Sequence, residues 1–94
     1  MTTLKNPIKD PRKIDPELNE SIKNIIHLKF QNGNFTFHDL LDKIKQSVEN
    51  REKKSSLIWS YYAINCILTN NNLNDNKKFE IILDINESLK IFEN

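Results

Sequence analysis

Ninety-four residues with one glycine, one cysteine and a formal net charge of +1 make one domain with no global electrostatic pull toward a polyanion. At this length folding removes about 60–65% of the unfolded chain's surface from water, enough for a modest core without staples. A single cysteine excludes an internal disulfide, one glycine excludes a Walker or dinucleotide-type phosphate loop, and no run approaches the ~18 apolar residues of a membrane span.

A lone thiol fits a reducing compartment, and the polar, proline-punctuated start is unlike a signal peptide. These features predict a soluble, cytoplasmic protein. Asn, Ile and Lys dominate the composition. All three have AT-rich codons, so the Asn-rich tract at 70–76 carries little functional weight.

Residues 1–14 contain Pro7 and Pro11 and no periodicity, which predicts an extended arm. Lys5, Lys9, Arg12 and Lys13 outnumber Asp10 and make it basic. It is either a loose tail or a cationic strap for a polyanion or a partner. The domain proper is expected over 15–94.

A first helix starts with Asp15 as N-cap, Pro16 where a missing N–H costs nothing, and Glu17 and Glu20 near the positive helix end. Leu18, Ile22, Ile25 and Ile26 form its expected buried stripe, with Leu28 and Phe30 toward the end. Gly33 closes the helix in the left-handed C′ position.

Asn34, Phe35 and Thr36 predict a short extended link, and Thr36-Phe-His-Asp39 has the form of a capping box. Phe37, Leu40, Leu41, Ile44 and Val48 give the second helix an apolar stripe, opposite Asp39, Asp42, Lys43, Gln46 and Glu49. Residues 49–56 read as a polar connection or a frayed helix end, and Ser55 or Ser56 is expected to cap a third helix.

That third helix, over 55–70, holds the only Trp, both Tyr, the only Cys and no charge. Leu57, Tyr61, Ile64 and Leu68 fall on one stripe; Trp59, Tyr62, Ala63, Cys66 and Thr69 occupy the other face. A helix apolar nearly all round is buried on both sides or presents its second face to something. Trp59 and Tyr62 are thus either core aromatics or an exposed patch.

After a polar loop at 70–78, Phe79–Leu83 and Ser88–Phe92 read as two short strands around Asp84-Ile-Asn-Glu87. Phe79, Ile81 and Leu83 alternate onto one face, answered by Leu89 and Ile91. A rival reading makes Glu87–Phe92 a final helical turn. The expected class is mainly α with a C-terminal β-hairpin.

His27, His38 and Cys66 are the only soft metal ligands, with no zinc-type spacing, and Cys66 lies mid-helix among apolar neighbours. Asp39 and Asp42 lie on a solvated face beside lysines. No enzyme, metal or cofactor is expected.

The order helix, extended link, helix, turn, helix, hairpin, with the junction Gly33-Asn-Phe-Thr-Phe-His-Asp-Leu-Leu41, resembles the winged-helix group of helix-turn-helix domains over about 15–92. The resemblance implies a three-helix, winged-helix-like domain acting as a dimeric DNA-binding transcription regulator, with Leu57–Leu68 as recognition helix and Asp84–Glu87 as wing tip. Arg51, Lys53, Lys54, Ser55, Ser56, Trp59 and Tyr62 would then lie nearest the DNA. Against DNA, the third helix lacks Arg, Lys or Gln to read base edges, and the wing is acidic. Those features suit a protein-interaction module, in which Trp59, Tyr62 and Cys66 form the interface with a partner or a second copy.

Overall fold

A computed structural model describes residues 6–31, 33 and 36–93. Its elements are α1 (Pro16–Gln31), α2 (Phe37–Glu49), α3 (Lys53–Leu68) and α4 (Asp75–Leu89), ending in a 3-10 turn at Lys90–Phe92. No strand occurs among the described residues, so the expected β-hairpin, and with it the three-helix winged-helix-like class, is overturned. The fold is an all-helical one built around α3.

The C-terminal segment is helical because its buried positions step by three and four, not two. Ile82, Ile85 and Leu89 enter the core, and Ile85 stands at the position expected to form the hairpin turn. The Asn74 side chain accepts the Lys77 backbone N–H at 2.8 Å, which caps the helix well before the supposed first strand. Lys78 Nζ then donates to the Leu68 carbonyl at 3.0 Å, tying the start of α4 to the last turn of α3.

Two starts follow the sequence. Asp15 accepts the Leu18 N–H at 3.1 Å. Asp39 accepts the Thr36 backbone N–H at 2.7 Å, a bond that holds its carboxyl below the usual range. Gly33 has φ +69°, the left-handed conformation expected of it, and a Cβ there would meet nothing within 4 Å. Its backbone angle alone favours glycine. Of the extended link expected at 34–36, Asn34 and Phe35 lie outside the described residues; Thr36 is extended.

The α2–α3 connection is shorter than expected. Arg51 takes φ +60°, Arg51 N–H reaches the Val48 carbonyl at 3.1 Å and Glu52 N–H the Ser47 carbonyl at 2.9 Å. This is a Schellman closure with arginine in the usual glycine place. The third helix therefore begins at Lys53 with Glu52 as N-cap, not at Ser55 or Ser56. Ser56 lies fully buried in the first turn, its hydroxyl donating to the Glu52 carbonyl at 2.7 Å.

Helix α3 is the hub of the core. Ile58, Trp59, Ala63, Ile64 and Ile67 are buried in it, met by Ile22 from α1, Leu40 and Ile44 from α2, and Ile82, Ile85 and Leu89 from α4. The absence of charge along 55–70 is thus the signature of burial on several sides. Helix α1 fits less completely than its stripe predicts. Ile22 is buried, but Ile25 is 38% and Leu28 62% exposed. The side chain of Phe30 is outside the described set.

Candidate nucleic-acid interface

The N-terminal segment is neither a loose tail nor a free strap from residue 6 onward, and residues 1–5 are outside the described set. Pro11 is fully buried and Ile8 packs against the core. Asn6 Nδ2 donates to Asn65 Oδ1 at 3.1 Å, fixing the segment along α3. Arg12 is held by Asp10 through a fork with contacts of 2.6–3.0 Å, and its guanidinium lies 5.0 Å from the Tyr61 ring centroid. The same pairing lowers the Asp10 pKa to about 2. Arg12 is therefore a clasp and not a free cation.

Laid down this way, the segment brings Lys9 to the start of α3. Lys9, Lys53 and Lys90 line one open cavity of about 580 Å³ together with the apolar Ile8, Leu57 and Phe92. A neighbouring hollow of about 470 Å³ shares Ile8, Lys9 and Leu57 and adds Lys13. Four lysines from three separated stretches of chain thus follow one strip. The acids lining the two hollows are Asp10, engaged by Arg12, and Glu93. Lys90 pairs with Glu87 at 2.9 Å, an exposed contact of little strength.

The charge at the start of α3 is opposite to what helix formation favours. The first turn holds Lys53 and Lys54 and no acid, with Glu52 at the N-cap, so two cations against one carboxylate sit at the positive end of the helix macrodipole. Lys54 has Asp15 3.9 Å away, a loose exposed contact. No ion pair or hydrogen bond restrains the Lys53 and Lys9 ammonium groups among the described residues. Anions are attracted to this end twice over, by side chains and by the helix.

Of the residues expected at a DNA surface, Arg51, Lys53 and Lys54 are exposed and adjacent, and Ser55 is half-buried beside them. Ser56 and Trp59 are not available: Ser56 is fully buried and Trp59 is 5% exposed within the lone chain. Lys43 Nζ stands 6.0 Å from the Trp59 ring centroid, so α2 covers that face. Tyr62 is half-buried and its hydroxyl donates to Asn19 Oδ1 of α1 at 2.5 Å. Cys66 is half-buried, and burial pushes its thiol up, away from the reactive thiolate. Of the docking face expected of Trp59, Tyr62 and Cys66, the two aromatics are therefore engaged by the chain's own α2 and α1.

The sequence displays the basic arm and the basic run before α3 but not their meeting, and in it Lys90 is only a minority charge in an acidic end. Nothing local marks Lys90. His27 and His38 are both exposed, His38 stacked on Phe37 with ring centroids 4.5 Å apart. Among the described residues no group of three His, Cys, Asp or Glu is placed to hold a metal ion, and no helix is long and apolar enough to cross a membrane. No family model, no curated protein and no solved structure matches the chain.

Proposed function

We propose that this chain is a small nucleic-acid-binding module that holds phosphates along the strip Lys13–Lys9–Lys53–Lys90. The observation that carries the reading is the shared cavity of Lys9 and Lys53 at the positive end of α3. Lys53, a cation in the first turn of α3 with no ion-pair partner among the described residues, has its natural counterpart in an external anion. With α3 buried on most faces, it does not enter a major groove as a recognition helix. Binding to phosphates without base-edge readout follows.

The test is fluorescence anisotropy with labelled nucleic acid over a salt series. Affinity falls steeply with salt, and replacing Lys9 and Lys53 by Ala flattens the log–log slope by about one for each phosphate that the variant no longer neutralises. Absence of binding at low salt, or a slope unchanged in the double variant, overturns the reading.

A second reading, a protein-interaction module, draws support from Phe79 and Leu83, 56% and 42% exposed at helical spacing on α4. Its surface is α4 and not Trp59, Tyr62 and Cys66. A monomeric mass at high concentration that is the same for wild type and Phe79→Asp counts against self-association through this face.

A further inference from the structure

We propose that the lysine strip takes single-stranded nucleic acid in preference to duplex, with one base lodged in the larger hollow against Phe92 and Leu57 and the flanking phosphates on Lys9, Lys53 and Lys13. This rests on the nucleic-acid reading above and names the form of the ligand.

Three observations carry it. The cations do not stand on a projecting ridge. They rim two adjoining hollows that share Ile8, Lys9 and Leu57. A duplex offers phosphates on a convex, stiff surface with its bases stacked out of reach; a single strand can follow a concave track and turn a base inward.

The lysines share the lining with the apolar side chains of Ile8, Leu57, Leu89 and Phe92. A phosphate gains nothing from such side chains, whereas the π-face of an unstacked base covers them and removes them from water. Phe92 is half-buried, so part of it is fixed by the core while part stays open to the hollow. A volume of about 580 Å³ lies in the usual range for a small-molecule site.

The polar groups divide in the sense a nucleotide needs. Lys9, Lys53 and Lys90 line the hollow as cations, while Asn86 supplies an uncharged amide able both to donate and to accept. Glu93 in the lining disfavours a phosphate beside it and its neighbour Lys90. The strand's phosphates are therefore assigned to Lys53, Lys9 and Lys13, and the base to Phe92.

The experiment uses the whole chain and three labelled probes of about 12 nucleotides: oligothymidylate, oligouridylate and a mixed-sequence DNA duplex. Wild type is compared with Phe92→Ala and Phe92→Leu, folding being checked by circular dichroism. Phe92→Leu keeps an apolar side chain of similar bulk and removes the π-face, so it decides the matter if Phe92→Ala fails to fold. The expected result is tighter binding of one or both single strands than of duplex. Phe92→Leu should weaken single-strand binding at least about fivefold and leave duplex binding within about twofold. Duplex bound at least as tightly as both single strands, or single-strand affinity indifferent to Phe92→Leu, overturns the inference while the phosphate strip stands. No binding of any probe at low salt removes the nucleic-acid reading itself, so the two failures are distinguishable.

Discussion

The hydroxyl of Tyr62 on α3 donates to the side-chain oxygen of Asn19 on α1 at 2.5 Å, a bond between residues far apart in the chain that joins the outermost helix to the central one. It matters because α1 has few other anchors. Among its described apolar side chains Ile22 alone is buried, Leu18 and Ile26 are half-buried against the core, and Ile25 and Leu28 are exposed. Tyr62→Phe removes the donor and leaves the ring. It should destabilise by about 1 kcal/mol, and Asn19→Ala in the same background should add less than it does alone. Burial pushes the Tyr62 phenol above its ordinary value of 10.0. Below that value both states hold the proton. Above it the unfolded chain gives it up first, so stability is lost as pH rises. Urea unfolding of wild type between about pH 9 and 11 should therefore fall more steeply than that of Tyr62→Phe; parallel curves would refute the assignment.

Trp59 reports on the core and not on a surface. At 5% exposure its emission should be blue-shifted and shielded from iodide, and neither property should change with protein concentration. Trp59→Ala leaves a large cavity in the core on the flank of α3 and should cost about 3–5 kcal/mol, enough to threaten the fold of a domain this size. A red-shifted, readily quenched emission in the monomer would show the indole to be wet and the core misassigned.

Arg51 occupies the left-handed turn that closes α2, with φ +60°. An L side chain there is strained by roughly 1–2 kcal/mol relative to glycine. Arg51→Gly should raise the thermal midpoint, gaining up to about 1 kcal/mol after the entropic cost of glycine in the unfolded chain. Arg51 lines neither lysine-rimmed hollow, so single-strand affinity should change far less than with Lys53→Ala. A lower midpoint would mean that the arginine side chain supports the turn in some other way.

How much of the fold is legible in the sequence depends on the range of the interaction that decides each feature. Asp15, Thr36, Asp39 and Gly33 announce helix ends because capping is settled within four residues of chain. The Phe79–Phe92 segment misleads. Five-residue windows of alternating Phe79, Ile81 and Leu83 imitate a strand, and only the longer step Ile82, Ile85, Leu89 betrays a helix. Asn74 stands in a polar, Asn-rich tract that hides its capping role. The cation strip is half visible: two basic stretches stand out, but no local pattern joins them or recruits Lys90.

Left to itself, the amino-acid order determined where three of the helices run, that the uncharged stretch 55–70 is their centre, and that no disulfide or glycine-rich phosphate loop exists. Those properties follow from side-chain chemistry and spacing over one or two turns. Tertiary structure alone decided that Trp59 faces inward, that residues 6–14 lie along α3, and that Lys9, Lys13, Lys53 and Lys90 share a surface. Such outcomes depend on which faces meet when several helices compete to cover one apolar rod, a choice made by the packing of the whole chain.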